Sequence, residues 1–181
     1  MADRGMVSRE VIQGLEARGV RYILGMRLRR DKEVREEVLS RPGRYRVVAE
    51  NLRVKEVWVE GRRYILCYNP QEAEREAMER GLILETLREK LSQGPKALVG
   101  NRGFRRYLVA EKGTFKIDLK KVKKEARYDG KWVLRTNTEL PAAEVALQYK
   151  RLLLVEEFFR AALVLMHELE VRLGRKGMRV E

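Results

Sequence analysis

The sequence predicts an α/β protein whose last third is helical. Three observations lead to this prediction: a capped helix followed by a strand-like run near the amino terminus, several short β-type runs between residues 44 and 69, and a helical segment that starts near Pro141. At 181 residues the chain can bury one substantial core, so we expect one domain, or one domain that carries an insertion.

The first predicted element is a short helix over residues 9–17. Ser8 precedes it with an N-cap oxygen, and Gly19 follows it where a helix commonly ends. Residues 21–28 then read as a strand, so the two segments together predict one α/β unit.

The middle of the chain predicts strands and then a long helix. The β-type runs of residues 44–69 include a predicted hairpin turn at Glu60-Gly61. Asn69, Pro70 and Glu72 supply an N-cap, a first-turn proline and a capping-box glutamate for a helix from about 70 to 92. We expect its buried side to comprise Ala73, Ala77, Leu84, Leu87 and Leu91.

A clear break follows at residues 92–95, Ser-Gln-Gly-Pro. Beyond it the pattern predicts strands near residues 107–110 and 114–117, and a helix capped by Asp118. A hairpin-like turn at Asp129-Gly130 then leads into a strand over residues 131–136.

The charge balance favours a polyanionic partner. The chain has 40 Lys and Arg against 27 Asp and Glu, a net charge of +13, which places nucleic acid first among partners. The alternative is a solvated, charge-rich surface, since charges of both signs are mixed along the chain.

Cysteine and histidine usage excludes several classes of site. Cys67 is the only cysteine, so an intrachain disulfide is impossible and a zinc site is not expected. Its apolar neighbours predict a core thiol in a strand. His167 is the only histidine and sits among apolar residues, which argues against Ser-His-Asp and Cys-His mechanisms.

The sequence predicts a cytoplasmic protein without a membrane anchor. The amino terminus shows no apolar signal-peptide run, and the apolar stretch of residues 161–166 is too short to cross a bilayer. A reducing cytoplasm also suits the single cysteine.

Two basic clusters are candidate DNA contacts. Arg102, Arg105 and Arg106 interleave with Phe104 and Tyr107, a mixture suited to phosphate contact with stacking. On the helix after Asp118, one face carries Lys120, Lys123 and Lys124, while the other carries Leu119, Val122 and Ala126. A merely solvated lysine face is the alternative for the second cluster.

Tyr149 and Glu156 are seven residues apart, close to two helical turns, and so project from one face of the last helix. Together with Asp3 in Ala-Asp-Arg-Gly-Met and the stretch of residues 128–138, they resemble the catalytic half of bacterial insertion-sequence DDE transposases of the Tyr-Arg-Glu-Lys signature type. The resemblance covers residues 1 to about 160.

The resemblance implies a partial ribonuclease-H-like core with a β-rich insertion and a helical C-terminal third. Residues 1–30 would begin the core, with its first strands missing, residues 31–126 would form the insertion with its helices, and residues 127–181 would return to the core and the C-terminal helices. It also implies metal-dependent DNA strand cleavage and transfer on two Mg²⁺ or Mn²⁺ ions, with Asp3 and Glu156 as catalytic metal ligands and Tyr149 as a DNA contact.

The sequence departs from the family at three places. The first of two family aspartates has no counterpart, and the signature arginine and lysine are replaced by Leu152 and Leu163, which cannot pair with a phosphate. We therefore expect a truncated or decayed copy that is inactive and binds metal weakly or not at all. The alternatives are a non-catalytic DNA-binding remnant and a basic scaffold or RNA-binding protein.

The C-terminal helix also predicts self-association. From Val155 onward its apolar residues recur at spacings of three and four, and with the family's first strands missing part of this stripe would lack a partner. We expect a homo-oligomer through residues 155–173.

Overall fold

The computed structural model describes residues 8–94, 102–111 and 114–175. Its helices are α1 (Arg9–Ala17), α2 (Lys32–Glu36), α3 (Pro70–Ser92), α4 (Leu119–Ala126) and α5 (Ala142–Arg175). Its strands are β1 (Ile23–Gly25), β2 (Arg46–Ala49), β3 (Leu52–Val59), β4 (Arg62–Tyr68), β5 (Leu108–Glu111), β6 (Thr114–Ile117) and β7 (Lys131–Thr136).

Five of the strands form one antiparallel sheet in the order β1-β7-β4-β3-β2, and β5 and β6 form a separate pair. The β3–β4 hairpin turns at Glu60 and Gly61, whose φ angles of 48° and 74° are both positive, as in a type I′ turn. The predicted hairpin is confirmed. The main sheet contains strands from all three regions that the resemblance implied, namely β1 from residues 1–30, β2, β3 and β4 from residues 31–126, and β7 from residues 127–181.

The predicted α/β unit takes a different form from the expected one. The strand predicted over residues 21–28 contracts to β1, which has three residues and pairs antiparallel with β7. The pairing continues through one more hydrogen bond, from the Met26 amide to the Val133 carbonyl, before the chain turns toward α2.

The helix caps follow the sequence prediction. The side chains of Ser8, Asn69 and Asp118 each accept a hydrogen bond from a first-turn amide, and α3 has the predicted bounds. Ala77 is exposed, however, so it does not belong to the buried side of α3.

The hairpin-like turn predicted at Asp129-Gly130 lies between α4 and β7, and it therefore joins a helix to a strand rather than two strands. Long-range contacts hold it. The Gly130 carbonyl accepts from the Asn69 amide at 2.8 Å, and its amide donates to Glu76 Oε2 at 2.8 Å.

Both faces of the main sheet are buried. Tyr64 and Leu66 of β4 face α1 and α2, whereas Ile65 and Cys67 face the first turns of α5. Cys67 is fully enclosed, which confirms the predicted core thiol, and burial raises the pKa of its thiol. A third cluster lies beneath α3. There Leu87 packs with apolar side chains of residues 104–107, β5, β6 and α4.

Within the described segments, no helix combines the length and apolar character needed to cross a bilayer.

Candidate nucleic-acid interface

The resemblance-based metal ligands are only partly described. Asp3 lies outside the described residues, and for Glu156 the structure describes the helical backbone but not the side chain. In the described part of the chain, no three His, Cys, Asp or Glu residues come together as a metal-binding group.

Tyr149 lies in the core rather than at a DNA-binding surface. Its side chain is 0% exposed and packs with Val145 and Ala146 of α5 against Ile65 and Leu134 of the sheet. Tyr149 follows Val145 by four residues and Ala146 by three. The three side chains therefore lie on the same helix face, which covers the sheet. A DNA backbone cannot reach it in this fold, so the expected Tyr149 contact is corrected.

The arginine–aromatic cluster is also arranged differently from the prediction. It forms a 3-10 helix over Arg102–Tyr107, in which Phe104 and Tyr107 are 7% and 2% exposed and belong to the cluster beneath α3. Neither ring presents a face for base stacking. The side chains of Arg102 and Arg105 lie outside the described residues.

Arg106 is exposed, with its guanidinium carbon 4.8 Å from the centroid of the Tyr107 ring. It lines a cleft of about 110 Å³ with Glu76, Glu79, Glu125 and Asp129, of which Glu125 and Asp129 form ion pairs with Arg29 and Arg80 of the same cleft. Glu76 and Glu79, which have no ion-pair partner among the described residues of this cleft, weaken the attraction of Arg106 for phosphate.

The lysine face of α4 is exposed. Lys120, Lys123 and Lys124 project into solvent, and no described carboxylate lies within 4 Å of their ammonium groups. On the other side Val122 and Ala126 are half-buried as predicted, but Leu119 is 64% exposed.

Arg127, which is not among the predicted DNA contacts, continues this face. Arg127 follows Lys120 by seven residues and Lys123 by four, it is exposed, and its carbonyl accepts a hydrogen bond from Lys131 Nζ at 2.8 Å. Helical periodicity alone could have identified it. We name the set Lys120, Lys123, Lys124 and Arg127 the α4 basic stripe.

The comparisons with known proteins returned no match for this chain among family models, curated proteins or solved structures.

Proposed function

We propose that this chain is a DNA-binding portion of an insertion-sequence DDE transposase, a cytoplasmic protein related to the ribonuclease-H-like enzymes, and that it binds DNA without cutting it. The motifs at Asp3, residues 128–138 and Glu156 support the family, and the net charge of +13 supports the polyanionic partner.

The α4 basic stripe is the observation that carries DNA binding. From Lys120 to Arg127 it runs for about 10 Å along the helix, which is comparable with the axial rise of roughly three nucleotides in one strand. Its cations have no described carboxylate partner, so phosphates can approach them without displacing an ion pair. Such contacts release counterions and carry little sequence information.

Salt-dependent binding to a short duplex tests this proposal. Replacing Lys120, Lys123 and Lys124 by Gln should reduce the slope of log affinity against log salt by up to roughly 0.9 for each phosphate that the variant no longer neutralises. Replacing exposed Arg9, Arg18 and Arg21 by Gln removes the same charge from another region and is the matched control. Equal slopes in the two variants would refute the stripe, and tighter binding to RNA than to DNA would favour the scaffold alternative.

The absence of cleavage is the second part of the proposal. The family reaction needs three carboxylates around Mg²⁺ or Mn²⁺ to align nucleophile and leaving group, and the motifs here supply only Asp3 and Glu156. Supercoiled DNA should therefore stay intact with either metal. Nicking by the purified protein that disappears in Glu156→Gln would contradict this part while leaving DNA binding untouched.

A further inference from the structure

A second basic surface lies in a cleft at one end of the main sheet. The cleft encloses about 430 Å³, and its lining includes Tyr45, Arg53 of β3, Tyr68 of β4, Asp129 and Lys131 of β7. An adjoining hollow of about 170 Å³ shares Tyr45 and Lys131 and adds Lys55 and Arg127. The strand pairings place these cations together, since Tyr68 is opposite both Arg53 and Lys131 in the sheet.

The two lysines are held at the cleft without a neutralising carboxylate. Lys55 is 8% exposed, and its Nζ donates to the Arg41 carbonyl at 2.7 Å and lies 5.4 Å from the centroid of the Tyr45 ring. Lys131 Nζ lies 6.0 Å from the centroid of the Tyr68 ring. Among the described residues, neither ammonium forms an ion pair.

The carboxylate in the cleft is committed elsewhere. Both oxygens of Asp129 accept from the Arg80 guanidinium, at 2.6 and 2.5 Å, and the two side chains are only 12% and 13% exposed. This bidentate pair commits both Asp129 oxygens to Arg80, although the Asp129 charge still raises the pKa of Lys131.

The charged forms of Lys55 and Lys131 are therefore destabilised in this position. Burial lowers the pKa of the Lys55 ammonium, and repulsion from Lys131 lowers it further. Burial also lowers the pKa of Lys131, with Asp129 acting in the opposite direction and Arg127 in the same one. A bound anion would offset part of this cost, because pairing with an opposite charge compensates the desolvation of a buried ammonium.

The tyrosines add a surface for a flat ring. The Tyr45 and Tyr68 rings lie 5.9 Å apart with their planes tilted by 53°, and both side chains are half-buried at the cleft. Burial raises the pKa of Tyr45 to about 12, so its phenol stays neutral and does not repel an anion. Rings of this kind bind the faces of bases with little regard to sequence.

We propose that this cleft binds a nucleoside phosphate, with the phosphate near Lys55 and Lys131 and the base against Tyr45 and Tyr68. Its volume lies within the range of small-molecule sites. The ligand is either a free nucleotide or the terminal nucleotide of a single strand, because both present the same phosphate and ring. The proposal does not depend on duplex binding by the α4 basic stripe.

Calorimetric titration with adenosine monophosphate, adenosine and inorganic phosphate tests the two halves of the site. Adenosine monophosphate should bind with a dissociation constant at least about tenfold lower than that of adenosine or of inorganic phosphate, because only the monophosphate contacts both the lysines and the tyrosines. A 5′-phosphorylated thymidine pentamer, compared with the same strand lacking that phosphate, distinguishes a strand end from a free nucleotide. Binding of all three small probes with equal affinity would overturn the proposal.

Two double variants that remove the same charge test whether the monophosphate binds in this cleft. Lys55→Met with Lys131→Met should weaken monophosphate binding at least about tenfold, whereas Lys120→Met with Lys124→Met removes the same charge outside the cleft and should leave it unchanged. The second variant should instead weaken duplex binding, which separates this proposal from the function proposed above. Should the cleft variant fail to fold, Arg53→Gln replaces it, because Arg53 is exposed in β3. Equal weakening in the cleft and control variants would refute the site.

Discussion

Lys55 shows how one side chain can be costly to the fold and useful at a surface. It occupies an inward position of β3, and a Cβ built on Gly43 would lie 3.1 Å from its Cδ, so the lysine stem packs closely beneath that glycine. The aliphatic stem suits this position, but the ammonium is taken out of water with no ion-pair partner among the described residues.

Replacing Lys55 by Met should therefore stabilise the protein by about 1 kcal/mol near neutral pH, since an unpaired buried charge is exchanged for an apolar group of similar length. The lowered pKa sets the pH dependence. Between the folded pKa and the ordinary value of 10.5, the unfolded chain binds more protons, so wild-type stability rises with pH and the advantage of Met shrinks.

Urea unfolding at pH 7 and pH 10 measures this difference. Lys116→Met is the control, since Lys116 is 64% exposed in β6 and pairs with Glu111, and its stability should change little at either pH. A loss of stability on Lys55→Met at pH 7 would show that the ammonium is better solvated than its burial indicates.

Gly130 is the residue at which the fold tolerates no side chain. A Cβ there would lie 2.2 Å from the Asn69 carbonyl oxygen and 2.8 Å from both the Ala73 amide and its Cβ, and φ is +61°. We expect Gly130→Ala to cost about 3 kcal/mol or more, because clash and backbone strain add.

Gly19→Ala separates these two contributions. Gly19 has a similar φ of +64° but no atom within 4 Å of a built Cβ, so the same substitution should cost only about 1 kcal/mol. Thermal unfolding of the two variants gives the comparison, and equal destabilisation would mean that the turn at Gly130 can shift away from α3.

At the scale of elements, local capping signals predict where helices begin. Asn69 and Pro70 fix the start of α3, and Asp118 fixes the start of α4, because a capping side chain acts within one turn of its own position. The β3–β4 hairpin is equally local, since its turn needs only two residues with positive φ.

The pairing of distant elements could not be predicted in the same way. Thr136 pairs with both Ile23 and Arg63, so the antiparallel order follows from contacts far apart in sequence. The surroundings of the candidate site residues could not be predicted either, for the same reason. Tyr149 is buried because α5 lies on the sheet, and the cleft lysines meet because β3 and β7 flank β4.

The cluster beneath α3 should behave as a packed core of its own. Leu87 is fully buried there among aromatic and aliphatic neighbours, so Leu87→Ala should cost about 2–5 kcal/mol through reduced apolar burial and the cavity left behind. Leu82→Ala is the control on the same helix, since Leu82 is 64% exposed and should change stability by less than about 0.5 kcal/mol.

Denaturant unfolding followed by circular dichroism compares these two leucine variants. A small destabilisation in Leu87→Ala, no greater than that of the control, would show that the C-terminal half of α3 contributes little to the folded state.

At the scale of the whole molecule, α5 joins a buried segment to an exposed one. Its first turns cover one face of the sheet through Val145, Ala146 and Tyr149, but farther along Phe158, Phe159 and other large apolar residues are at least half exposed. These are Leu154, Val155, Phe158, Phe159, Leu163, Val164, Leu165 and Met166. An apolar surface this continuous is uncommon on a soluble monomer.

We therefore expect a homodimer or larger assembly through this part of α5, because a second copy offers the same apolar surface and closes it by symmetry. Phe159 and Met166 are seven residues apart and 62% and 58% exposed, so they share one side of the helix. Replacing both by Glu places charge on that side and should dissociate the assembly.

Met78→Glu is the control, since Met78 is 69% exposed but lies on α3. Light scattering at micromolar concentration should give a mass above 21.3 kDa for the wild type and the control, and 21.3 kDa for the double variant. A wild-type mass of 21.3 kDa would mean that the exposed segment of α5 does not hold two copies together.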